Sequence, residues 1–244
     1  MGKRGFTQTI LETKTLSFAP IKGNRVLLRT EFNVPLKGTK ITDDTRIQTS
    51  IPTIRALLDR GATNVVIVSH MGRPKKKDPA LSMKPVGKRL SQLLGFTVPV
   101  VLGYDLKTVQ KQFKRKMPRV ILLENIRYHP GEEKNNMALG RSLSTLADIY
   151  VNDAFGTAHR CHASNGAVTS FLPSYIGLLM ENELSHMQHV TETPSHPFVC
   201  VVGFAKISDK LSILTQLLKK ADSVLIGGGV AFTFLAAQGH EVGT

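Results

Sequence analysis

Seven short runs rich in β-branched residues alternate along this chain with stretches of helical periodicity, and that rhythm constrains the fold more than any other feature. The runs are RVLLRT (25–30), NVVIVS (64–69), VPVVL (98–102), RVILLE (119–124), DIYVND (148–153), FVCVVG (198–203) and SVLIGG (223–228). Between them helices are predicted over 45–60, ending at Gly61; 84–94, ending at Gly95; 105–115; 134–146; 178–190; 208–220; and 230–237. Asp44, Ser82, Asp105 and Ser208 stand where first-turn N–H groups need an acceptor. Such alternation predicts an α/β fold, a parallel sheet with helices on both faces in the Rossmann-like manner. Hydrophobic residues make up 41% of the 244, enough to bury a real core.

The segment VTETPSHP (190–197) holds two prolines and no apolar periodicity, and it reads as a linker. It separates an expected first lobe, 1–189, with five strands, from an expected partial second lobe, 198–244, with two. Two strands and two helices are too few for a self-sufficient α/β domain. An unpaired sheet edge and an uncovered apolar face are expected there.

The formal charge of +14 favours an anionic partner. Lys75-Lys76-Lys77 and Lys111, Lys114, Arg115, Lys116 read as solvated faces beside loops and helix ends. Aromatics are few and tryptophan is absent, and no stacking pattern of a single-strand binder is present, so nucleic acid is disfavoured as the partner. Cys161 and Cys200 lack metal-ligand spacing, and no metal site is expected. The first twenty residues lack a signal-peptide core and no run approaches a membrane span. A soluble, cytoplasmic, monomeric protein without a membrane partner is the expectation.

Ligands of open parallel sheets bind beyond the carboxyl ends of the strands. After RVLLRT come EFNVP and a loop that delivers Arg46; after NVVIVS comes HMGRP, which places His70 and Arg73 around Gly72. After RVILLE comes NIRYHP, with Arg127, and after DIYVND comes AFGTAHRCHASN, with His159, Arg160 and His162. Each cation alone is most simply a solvated loop residue. Together they form a rim whose mutual repulsion calls for a small polyanion, and guanidinium groups match carboxylate and phosphate bidentately.

FVCVVGFAKISDKL (198–211) supplies a second anion signal: Gly203 ends a strand, Ala205 leads into a helix, and Lys206 and Lys210 lie one turn apart near its N-terminus. The spacing is not that of a Walker A loop. GGG at 227–229 is a weaker signal of the same kind.

RTEFNVPL…TDDTRI, SHMGRP, LLENIRYHPGEE, YVNDAFGTAHRCHAS, VGFAKISDK and LIGGGVAFTFL together resemble phosphoglycerate kinase, in the family's order along almost the whole chain. The resemblance implies a two-lobed enzyme that moves a phosphoryl group between 1,3-bisphosphoglycerate and ADP (3-phosphoglycerate and ATP in reverse), with Mg2+ carried by the nucleotide, in glycolysis or carbon fixation. It implies a substrate site at Glu31, Phe32, Asn33, Arg46, His70, Gly72, Arg73, Arg127 and Arg160. Phe204, Ala205, Lys206, Lys210 and Gly228 match nucleotide-binding positions, and Arg46 with Lys210 resembles the pair that neutralises the phosphoryl group in flight. His162 matches a histidine near the family's hinge, where closure and simple packing are both open roles.

Three departures carry expectations of their own. Glu31 stands where the family has Asp, a shift that costs rate wherever positioning is critical. Phe204 replaces a glycine, and its side chain should crowd the nucleotide. The family's later second-lobe strands are not among these 244 residues. Two main readings follow: a fragment of a working kinase, or a catalytically impaired paralogue that binds phosphoglycerate without turnover. For the chain as given, little or no kinase activity is expected. A nucleic-acid binder has only charge behind it.

Overall fold

A computed structural model describes residues 14–113, 116–204 and 211–243. Lys114, Arg115, Ala205, Lys206, Ser208 and Lys210, like the N-terminal 13 residues, lie outside the described residues. The chain divides into two compact units between Ser185 and His186, inside a helix that runs from Leu178 to Glu192.

The first unit is built on a six-stranded parallel sheet: β1 (Arg25–Arg29), β4 (Asn64–Val68), β5 (Val100–Val101), β6 (Val120–Leu123), β7 (Ile149–Asn152) and β8 (Ser174–Ile176). The order is β5-β6-β4-β1-β7-β8, with Leu27 paired to Val66 on one side and Tyr150 on the other. Strands β2 (Leu36–Lys37) and β3 (Lys40–Ile41) form a small antiparallel hairpin outside it.

Successive residues of one strand enter two different cores, because side chains alternate across a sheet. Val26, Leu28, Val65, Ile67, Val120, Leu122, Ile149 and Val151 face one way, against Ile54 and Leu57 of helix Ile51–Asp59 and Val86 and Leu90 of helix Lys84–Leu94. Leu27, Val66, Val68, Ile121, Leu123 and Tyr150 face the other way, against Val109, Leu139, Leu143 and Val168. A sheet covered on both faces needs near-continuous apolar strands, as seen here. Gly140 lets helix Met137–Ser144 approach the turn Ala167–Ser170 closely; a Cβ there would lie 2.8 Å from the Ala167 carbonyl carbon.

The second unit pairs β9 (Val199–Gly203) with β10 (Ser223–Gly227) in parallel, beside helices Leu211–Leu218 and Gly229–Ala237. Cys200, Val202 and Leu214 form its small core. Val199, Val201 and Leu225, on the other sheet face, are exposed.

The α/β reading holds, and the seven expected strands form. The structure adds β8 and the β2–β3 hairpin, too short to stand out in sequence. The helix expected over 45–60 is two, Thr45–Gln48 and Ile51–Asp59, since Pro52 has no N–H and belongs in a first turn. Asp43, not Asp44, accepts from the Thr45 N–H, at 2.9 Å. The stretch expected to be a linker from residue 190 is helical as far as Glu192, because neither of its prolines comes before Pro194. Among the described residues no helix is long and apolar enough to cross a membrane.

Candidate functional site

The chain passes from β1 out to β4 and β6, then returns to the far side of β1 as β7. A crevice opens at the carboxyl ends where the order reverses. Three of the loops there meet at Gly72. Its N–H donates to Asn33 Oδ1 at 2.8 Å, and its carbonyl accepts from Arg127 Nη1 at 2.6 Å. Its φ of 60° is left-handed, and a Cβ would sit 2.9 Å from Leu81 Cδ2, so glycine is required. Asn125 fastens the β6 loop to the β4 loop: its Nδ2 donates to the Met71 and Leu81 carbonyls and its Oδ1 accepts from the Met71 N–H.

A cavity of about 680 Å³ lies over these ends. Its walls carry Glu31 and Asn33 from the β1 loop, Arg46, His70, Gly72 and Arg73, Arg127, and Arg160. Arg46 Nη1 donates to the Asn33 carbonyl at 2.8 Å and lies 3.4 Å from Glu31 Oε1. Arg127 is largely buried, with Nε 3.4 Å from Glu133 Oε1 and Nη2 without a hydrogen-bond partner. Burial lowers its pKa, and the nearby Arg160 and Arg29 add to that. A cluster of cations under this strain stabilises an incoming anion.

Sequence reasoning did not single out Thr45, Thr49, Phe155, Gly156, Thr157, Leu179 and Glu183, which also line the cavity. The last two come from helix Leu178–Glu192, whose first turn is set by Asp153. Asp153 Oδ1 accepts from the Leu179 and Met180 N–H groups at 3.0 and 3.2 Å. Gly177 packs so tightly on this carboxyl group that a Cβ would collide with it. Burial raises the Asp153 pKa above its usual value.

Phe32 turns its side chain away from the cavity: it is fully buried in the core, and its N–H donates to Ser69 Oγ; the apolar ring is drawn under the sheet end while Glu31 and Asn33 on either side face the cavity. His162 is likewise off the cavity wall, packed 3.8 Å from Glu132 Oε1, and burial lowers its pKa. Beneath the floor, Arg29 is a residue that sequence reasoning missed, hidden inside an apolar run; it touches Ser164 and His70.

In the second unit Phe204 packs its side chain against the Cys200–Val202–Leu214 cluster. Gly228 has φ 62° and ψ −157°, a conformation open essentially to glycine alone, and precedes helix Gly229–Ala237, with open space where a Cβ would stand.

The family model for phosphoglycerate kinase matches residues 16–244. The chain belongs to the phosphoglycerate kinase family. It is 49% identical over 224 residues to the phosphoglycerate kinase of Dictyoglomus turgidum, covering 91% of this chain and 56% of that one. Against the phosphoglycerate kinase of Pseudothermotoga lettingae it is 47% identical over 235 residues, covering 94% and 58%. The solved phosphoglycerate kinase of Coxiella burnetii superposes with a TM-score of 0.82 at 37% identity, over 94% of this chain and 58% of that one. The chain thus spans somewhat over half the length of the phosphoglycerate kinases it matches.

Proposed function

We propose that the cavity binds 3-phosphoglycerate or 1,3-bisphosphoglycerate, and that the chain carries the glycerate side of phosphoryl transfer between 1,3-bisphosphoglycerate and ADP. The observation that supports this most is the gathering of four guanidinium groups, Arg46, Arg73, Arg127 and Arg160, on one cavity. Transfer between bound phosphates requires positioning and charge neutralisation more than covalent chemistry, and the cavity offers both.

In this reading Arg127 and Arg160 hold the ligand's fixed anionic groups from half-buried or buried positions. Arg46, more than half exposed and bonded through Nη1 to the Asn33 carbonyl, neutralises the migrating phosphoryl group, with Lys210 as its counterpart. Phe204, Ala205, Lys206 and Gly228 are assigned to the nucleotide by resemblance. Among the described residues no group of three or more acidic, histidine or cysteine side chains is arranged to hold a metal. Mg2+ is assigned to the nucleotide phosphates by resemblance. The proposal places the protein in the cytoplasm as a monomer.

Thermal melts of the 244-residue chain with 3-phosphoglycerate test the binding half. The midpoint should rise with ligand, and Arg46→Ala should abolish the rise; an unchanged rise in that variant would count against the cavity. A coupled assay with ADP and 1,3-bisphosphoglycerate then separates a phosphoglycerate binder from a kinase, the binder being indicated by a ligand-dependent melt without turnover.

A further inference from the structure

We propose that Arg29 is a positioning residue that fixes His70 as its neutral Nε2–H tautomer, so that the histidine offers an anion in the cavity a hydrogen bond and not a charge. His70 is only 3% exposed and sits on the cavity wall. Its Nδ1 lies 3.2 Å from Nη2 of Arg29. A guanidinium has donors and no acceptor, so Nδ1 must supply a lone pair and the ring proton must reside on Nε2.

Arg29 cannot turn away from this contact. It is 1% exposed on β1, its Nε donates to Ser164 Oγ at 3.0 Å, and its Nη1 donates to the Thr30 carbonyl. Ser164 Oγ donates in turn to Glu132 Oε1 at 2.6 Å, and the Ser164 N–H donates to Glu132 Oε2 at 3.0 Å. A buried carboxylate thus balances the buried guanidinium through one hydroxyl, as a buried charge requires.

A second proton on His70 would set N–H against N–H at Arg29. Burial, and after it the positive charges of Arg29, Arg127 and Arg160 close by, hold the His70 pKa down to about 2. One neighbour opposes this: Glu31 Oε1 lies 3.7 Å from His70 Nε2, but Arg46 already draws on that oxygen. The cavity therefore presents its guanidinium charges plus a neutral N–H donor, and the histidine's contribution does not change across physiological pH. That consequence rests on the anion-site reading above; the tautomer itself needs no ligand.

The test is the ring 15N spectrum of the full chain, histidine-labelled and ligand-free, between about pH 5.5 and 8. His70 is assigned by the signal lost in His70→Gln. The expected result is Nδ1 at the unprotonated position and Nε2 at the protonated one, with no midpoint in the range. The reversed pattern, or two shifts that converge with a midpoint of about 6.5, would overturn the proposal. Arg29→Met should release the tautomer, so that the two ring 15N shifts of His70 move toward each other; a folded Arg29→Met protein whose His70 keeps the same fixed pattern would also overturn it. The wild-type spectrum decides even if that variant does not fold. Absence of 3-phosphoglycerate binding alongside the expected spectrum would sink the functional proposal and leave the Arg29–His70 pairing standing.

Discussion

The two units read alike in sequence and differ in how their strands are covered. In the first, Leu27 and Leu28 enter opposite cores and both are fully buried. In the second, Val202 is buried while its neighbour Val201 is 80% exposed. β-Branched runs of the same kind therefore announce a parallel strand, but not how many layers will cover it. The layer count decides stability, since a two-stranded sheet with one bare face gains burial from one side only. It also decides where chemistry can be held: the arginine-lined cavity stands on strands fixed from both faces.

The largest expected effect is in native-state hydrogen exchange. Amides of β1, β4 and β7 should open only with global unfolding, while those of β9 and β10 should exchange at least about a thousandfold faster. Equal protection would break the contrast. Core truncation sharpens it next: Ile67→Ala should cost about 2–5 kcal/mol in chemical denaturation, and Val201→Ala within about 0.5 kcal/mol. A large loss at Val201 would mean that its face is covered.

Acid sensitivity should also belong to the first unit. The unfolded chain protonates His70 at its ordinary value of about 6.5, whereas the folded protein does so at about 2. Between those values the unfolded state binds more protons, so stability falls as pH drops, by roughly 1 kcal/mol per unit from this one group. His70→Gln should flatten that slope in urea melts between pH 6.5 and 4.5; an unchanged slope would assign the acid sensitivity elsewhere.

Much of the fold was legible because strand runs and glycine stops are local signals. The break at Thr49–Ser50 and the three-residue strand β8 were not, since the first is set by one proline and the second by pairing with β7. The strand-end rule led to Arg46, His70, Arg73, Arg127 and Arg160, which share one cavity. Arg29 escaped it because it lies within a strand, not after one, and only the fold shows that its guanidinium meets Ser164 and His70. Phe32 lies after a strand too, yet its ring has an apolar core within reach and is buried there.

Calorimetric titration of the 244-residue chain with 3-phosphoglycerate tests the central claim most directly, by asking whether a built cavity or diffuse surface charge binds the anion. The account predicts one ligand per chain, affinity weakened by at least about 30-fold in Arg127→Ala, and little change when Lys75, Lys76 and Lys77 are all replaced by Ala. Binding that survives Arg127→Ala and disappears with the three lysines would contradict it.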